Sequence, residues 1–398
     1  MSNNLQGWST PTTPSLAPSP SLTPSLPKKE DSSPAFPEKF PSSILDSDFS
    51  EDDIQTWWKC LLGFVTEKKV TDIIFNPEAH MIYCRINTLL EVYQTLTKKN
   101  YNRVLLNKTP IENQKEVNSL GETDFAVTIY GRRLRVNVYK SLKGISAAYR
   151  PLPFKSMPWK DNGIPEQIIH EIEKTKQGLI LVTGPTGSGK STTICSILEY
   201  LNEKYPYHII TIEDPIEYIF TNKKSVIDQR EVKEHTGTFQ TALRASLREN
   251  PDIIFVGEIR DYETARTALM AADTGHLVLG TLHTRRVYST VSRLLEMAPE
   301  SNREEIRSML STALTLVICQ RLLQKKGGGI FPCREIMMLC PAVTALIKEK
   351  KEKGINSQLI INQQRGMMEW GRAIDLALEA NLISKEEAEK NRDKTEDI

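Results

Sequence analysis

Apolar residues recur at Ile54, Trp57, Trp58, Leu61, Leu62 and Val65, behind an acidic stretch from Asp46 to Asp53. That spacing of three and four marks one face of a helix. After Lys69 the pattern shortens to TDIIF (71–75), HMIYCRI (80–86), DFAVTIY (124–130) and LRVNVYK (134–140), runs rich in β-branched and aromatic residues that predict strands. Residues 46–150 are therefore expected to form an α+β domain. Pro151, Pro153 and Pro158 interrupt any regular element and predict a linker over 151–160. Glu166 to Lys176 then opens a helix with Ile168, Ile169 and Ile172 on one side. Beyond it GLILVT, HIITIE, DIIFVGE and HLVLGTL alternate with helical patterns, the signature of a buried parallel sheet with helices on its faces. This predicts an α/β core over 161–290. From there the periodicity reads as mostly helical, including Ile306 to Leu323 and Glu335 to Glu352, so 291–398 are expected to be the helical part of the same domain.

The first 45 residues differ in composition. Nine of the 22 prolines fall before residue 42, interleaved with Ser and Thr, and large apolar residues are too few to offset the ordering entropy of the chain. A disordered Pro/Ser-rich leader over 1–45 is expected, acting as a plain flexible tail or as a docking peptide that orders on binding. Lys plus Arg is 51 and Asp plus Glu is 50, a formal net charge of +1, so no global basic field points to nucleic acid or to an anionic membrane. The longest apolar runs, such as Gly178 to Val182, fall far short of the roughly 18 residues that cross a bilayer. Cys60, Cys84, Cys195, Cys319, Cys333 and Cys340 are scattered without a CxxC pair, which predicts buried reduced thiols rather than a zinc ribbon or a disulfide framework. The start has neither the charged opening nor the apolar segment of a secretory signal, and a cytoplasmic location is expected.

Gly184-Pro185-Thr186-Gly187-Ser188-Gly189-Lys190-Ser191 satisfies GxxxxGK[ST], directly after the strand LILVT and before the helical TTICSILEYL that Thr192 opens. Glycines let backbone N–H groups converge on phosphate oxygens, the helix N-terminus adds partial positive charge, Lys190 reaches the terminal phosphates and Ser191 holds Mg²⁺. ATP and Mg²⁺ are thus the expected cofactors. Hydrolysis also requires a carboxylate that orders the attacking water and a second near the metal. HIITIE ends in Glu213-Asp214-Pro215-Ile216-Glu217, DIIFV ends in Gly257-Glu258, and LVLGTL ends at His283. Three strand ends aim polar groups at the rim where ligands of open α/β sheets bind.

IITIEDPIEY, the run QREV (229–232), LRENPDIIFVGEIRD and TGHLVLGTLHT resemble the Asp box, Walker B and His box of the type II/type IV secretion ATPases, the GspE/PulE/PilT superfamily. Within it the chain is similar to PilT-like retraction motors and DotB-like ATPases, over roughly residues 54 to 390. The resemblance implies a PAS-like N-terminal domain hinged to a RecA-like P-loop domain, assembled as a ring hexamer. It also implies that Glu213 positions water as general base, that Glu258 acts on Mg²⁺ as the Walker B acid, and that His283 senses nucleotide with His276 beside it. Arginines of the N-terminal domain approach ATP in such rings, and RRLRVN followed by AAYR offers Arg135 and Arg150, with Arg133 ranked below them. The implied partners are a homohexamer and inner-membrane platform or secretion-complex proteins, with peripheral membrane association only and no nucleic acid. AVTALIKEKK (342–351) resembles the AIRNLIRE segment of retraction ATPases, but Thr344 replaces Arg and Ala345 replaces Asn. Two other classes compete with an ATP-driven motor. A RecA-like nucleic-acid translocase would carry a basic and aromatic strip, which is missing. A nucleotide-gated, non-hydrolysing scaffold would show decay at Glu213 or Glu258, and neither has decayed.

Overall fold

The computed structural model describes residues 40–41, 44–87, 89–152 and 156–392. The leader reading for 1–39 therefore lies outside the described residues, but its boundary moves. Phe40 is buried, its ring 5.1 Å from that of Phe49, and Ile44 and Leu45 rest on the same core. Asn100 fastens this segment by accepting from the Phe49 N–H (3.0 Å) and donating to the Ser47 carbonyl (2.7 Å). Packed chain thus begins before Asp46, because a few isolated apolar residues suffice once a distant asparagine satisfies their backbone.

The first domain opens with α1 (Glu51–Glu67), capped by a reciprocal pair between Ser50 and Asp53, and its predicted apolar face is buried. There follow β1 (Asp72–Asn76), β2 (Met81–Ile86), β3 (Leu89–Thr95), α2 (Lys98–Asn107), α3 (Ile111–Leu120), β4 (Glu122–Ile129), β5 (Arg132–Ser141) and β6 (Gly144–Pro151). The strands form one antiparallel sheet in the order β3-β2-β1-β6-β5-β4. Trp57 and Trp58 pack edge to face at 5.4 Å, and Phe75 and Tyr149 close around Trp58.

The second domain contains α4 (Glu166–Lys174), β7 (Gly178–Thr183), α5 (Lys190–Lys204), β8 (His208–Glu213), β9 (Val226–Glu231), α6 (Phe239–Ser246), β10 (Ile253–Val256), α7 (Tyr262–Asp273), β11 (Leu277–Leu282), α8 (Val287–Met297) and α9 (Arg303–Ala313). It continues through β12 (Leu314–Gln324), β13 (Ile330–Met338), α10 (Pro341–Lys348), α11 (Ile355–Ile361), α12 (Trp370–Glu379) and α13 (Lys385–Arg392). Its sheet runs β13-β12-β7-β11-β10-β8-β9, parallel except for β13 against β12. The helical expectation holds over 306–313 and 341–348 and is corrected over 314–323 and 335–338, which are strands. The helix stops at Ala313, and LTLVICQRLL enters the sheet beside β7 with nearly every side chain buried. A strand covered on both faces has no in-out alternation, and its apolar run cannot be told from a buried helix by period alone.

All six cysteines are buried and free, distributed over the first core (Cys60, Cys84), the second (Cys195, Cys319, Cys340) and a small C-terminal cluster around Trp370 (Cys333). Among the described residues no helix is long and apolar enough to cross a membrane.

Candidate active site on the rim of the parallel sheet

The phosphate loop joins β7, an interior strand of the second sheet, to α5. Gly187 (φ 77°) and Gly189 (φ 82°) both occupy the left-handed region, so the loop turns as only glycine does without strain. Lys190 donates to the Gly184 (2.9 Å) and Pro185 (3.1 Å) carbonyls, and burial holds its ammonium below the usual lysine range. Ser188 Oγ is buried without a hydrogen-bond partner among the described residues, while Ser191 and Thr192 are exposed at the start of α5. A buried orphan hydroxyl, a loop of backbone N–H groups and a helix N-terminus fit phosphate oxygens.

Glu213 ends β8 nearly sealed from solvent. Its Oε1 accepts from the Thr211 hydroxyl (2.7 Å) and the Gln229 amide (3.2 Å). Burial outweighs these donors and pushes the carboxyl up to about 7. Gln229 belongs to the QREV run, whose place on β9 explains its role: it lies against β8 and holds the acid. Glu258, two residues past β10, pairs with His283 Nε2 (3.1 Å) and Arg260 Nη2 (2.6 Å), and Arg260 also reaches Asp214 (3.7 Å). On its other side His283 Nδ1 stands 3.5 Å from Lys190 Nζ. The loop lysine, His283 and Glu258 thus form one chain across three strand ends. Arg260 was missed at the sequence level, although it stands inside the quoted GEIRD run. His276 does not stand beside His283: it precedes β11, bonded to the Ala271 carbonyl (3.1 Å), a strand length of about 20 Å away.

Arg133, Arg135 and Arg150 share one face of the first domain's sheet. Arg85, Asp72, Arg150 and Arg135 form a row across β2, β1, β6 and β5, with Arg135 directly opposite Arg150. Arg150 donates twice to Asp72 (3.0 and 2.9 Å), whereas Arg135 is exposed with no hydrogen-bond or ion-pair partner among the described residues. Asp72 answers both Arg150 and Arg85 (3.4 Å), which leaves Arg135, directly opposite Arg150, as the arginine of the row without a carboxylate among the described residues. Arg133, ranked below the other two, crosses to the second domain. Its guanidinium pairs with the buried Glu231 and meets the Ile216 carbonyl (3.5 Å), while Glu231 also accepts from the Ile216 N–H (3.1 Å). The segment just after Glu213 is therefore tied to the first domain.

If Glu213 is the group that takes the proton of the attacking water, it must be ionised to act. kcat/KM for ATP should fall as pH drops below about 7, with a single acid limb. A profile flat from pH 5 to 8 would separate Glu213 from the chemistry.

Residues 133–368 match the family described as type II/IV secretion system protein. The chain is 43% identical over 276 residues to the type IV pilus retraction ATPase PilT of Pseudomonas aeruginosa, covering 69% of this chain and 80% of the relative. It is likewise 43% identical over 279 residues to a twitching motility protein of Neisseria gonorrhoeae, covering 70% of this chain and 74% of that one. A crystal structure of the pilus retraction motor PilT with bound ADP superposes with a TM-score of 0.77 at 39% identity, covering 83% of this chain and 95% of that one. The Legionella pneumophila ATPase DotB shares the fold, with a TM-score of 0.71 at 23% identity, covering 88% of this chain and 97% of that one. With a phosphate loop, a buried acid and a His–Glu pair converging on one rim, this chain belongs to the type II/IV secretion system protein family and is an ATP-hydrolysing member of it.

Proposed function

We propose that this ATPase is a mechanical motor of a type IV pilus or of a type IVB secretion or conjugation machine. It works as a ring hexamer, peripheral at the cytoplasmic face of the inner membrane, with a PAS-like first domain and a RecA-like second. The observation that carries the reading is the contact from Arg133 to Glu231 and Ile216, because it ties the segment bearing the hydrolytic acid to a separate domain. A change at the rim then alters the angle between domains.

In this reading the phosphate loop N–H groups and Lys190 hold the triphosphate, Glu213 takes a proton from the attacking water, and His283 relays the state of the terminal phosphate between Lys190 and Glu258. Mg²⁺ would be held by Ser191 and Glu258 together with phosphate oxygens, neutralising charge in transfer. Such sharing suits Mg²⁺, which keeps several waters and binds few protein groups. Among the described residues no group of three or more His, Cys, Asp or Glu side chains could hold a metal without the nucleotide. Arg135 and Arg150 would complete a neighbour's site, where the exposed row finds its anion.

Turnover per subunit should therefore rise steeply with protein concentration and saturate as rings form. Specific activity constant across the range in which sedimentation shows assembly would overturn the shared site. Removal of residues 1–39 should leave turnover intact, whereas a start at Asp46 should retain chemistry but melt earlier, since Phe40 leaves the core.

A further inference from the structure

Gln320 lies on β12, directly opposite Arg334 on β13, and both are buried, at 1% and 6% exposure. The Gln320 amide nitrogen donates to the Ser188 carbonyl at 2.6 Å. Its oxygen accepts from the Thr193 hydroxyl (2.8 Å) and from Arg334 Nε (3.3 Å), two donors that fix which end of the amide faces the loop. In a trans peptide the carbonyl and the following N–H point opposite ways. Holding the Ser188 carbonyl toward β12 therefore turns the Gly189 N–H to the concave side of the loop, where a phosphate oxygen binds. The loop lies so close on this residue that a Cβ at Gly184 would stand 2.3 Å from the Gln320 carbonyl oxygen, and one at Gly189 would stand 3.2 Å from its amide nitrogen.

Arg334 carries the contact onward. Its Nη1 donates to the Gly163 carbonyl (2.9 Å), and its Nη2 to the Asn162 carbonyl (2.9 Å) and side-chain oxygen (2.8 Å). Asn162 in turn donates to Ser196 (3.1 Å), which donates to the Met157 carbonyl (2.6 Å). Every acceptor of this guanidinium is an uncharged oxygen, and burial lowers its pKa to about 10. Burying a cation without a carboxylate is costly, so its attachment to the segment between the domains is a strong constraint.

We propose that Gln320 is a positioning residue for the phosphate loop and that Arg334 couples it to residues 157–163, so that nucleotide binding at the loop is transmitted to the segment joining the two domains. This rests on nucleotide binding at the loop, and neither on ring assembly nor on the arginine row.

The test uses full-length protein, with Gln320→Met, which keeps volume without an amide, Arg334→Met, and the double variant. Gln320→Met should raise the ATP KM and the ADP dissociation constant by about tenfold, with kcat within about threefold of the parent. A merely structural lesion would lower the folded fraction and kcat without moving KM. Because the two residues act in series, the double variant should bind ADP no more weakly than Gln320→Met alone. Hydrogen exchange should show ADP-induced protection of 157–163 in the parent and its loss in Arg334→Met at saturating ADP. An unchanged KM in Gln320→Met, additive losses in the double variant, or protection that persists in Arg334→Met would each overturn the proposal, whatever the fate of the motor reading.

Discussion

Glu213→Gln is expected to lower kcat by about 10²–10⁴-fold while ATP affinity stays close to that of the parent. The substitution keeps the shape of the site: the new amide oxygen can still accept from Thr211 and Gln229, so neither donor is orphaned. What is lost is the capacity to take a proton, together with the acceptor that faces the Glu217 backbone N–H. A second readout follows from linkage. The folded pKa is raised to about 7 from an ordinary 4.5, so the folded state binds more protons between those values, and the stability of the parent falls as pH rises through that window. The variant lacks this slope. Its stability relative to the parent should increase from pH 4.5 to 7 and level off above. Parental turnover in the variant would remove Glu213 as base, and a stability difference independent of pH would mean that its carboxyl is not held neutral by the fold.

Arg135→Ala should reduce turnover by about 10³-fold, the scale of a guanidinium that stabilises charge in phosphoryl transfer, with no change in melting temperature. The side chain is exposed and unpaired among the described residues, so its removal opens no cavity and orphans no partner. Mixing this variant equally with Glu213→Gln separates two arrangements. If the arginine serves a neighbour, about a quarter of the interfaces in randomly mixed rings pair an intact base with an intact arginine, and activity returns to that level. If it serves its own chain, no mixture recovers anything, and the shared site is wrong.

The parallel core and its rim were legible because their signals are local. GPTGSGKS carries its own geometry, and acids at strand ends announce themselves. β3 was not legible, since LLEVYQT is exposed along most of its length and shows no alternation. β6 was hidden because GISAAYRP presents small residues, Ala147 among them, to the first core. Arg133 ranked below Arg135 in sequence because nothing nearby reveals that Glu231, 98 positions on, receives it. Gln320 and Arg334 gave no signal at all. They lie in a stretch read as helical at one end, and their meaning depends on the antiparallel pairing that sets them side by side. The described rim agrees with the sequence where one strand end suffices and goes beyond it wherever two distant segments must meet.

The placement of the cysteines makes the chain its own stopwatch. The thiolate is the form that reacts, and burial pushes Cys84, Cys319 and Cys333 up to about 12. An alkylating reagent at neutral pH should therefore modify almost nothing until a core opens. Because each packed unit holds its own thiols, the order in which Cys333, the Cys60–Cys84 set and the Cys195–Cys319–Cys340 set become labelled reads out the order in which the C-terminal cluster, the first domain and the nucleotide-binding domain come apart.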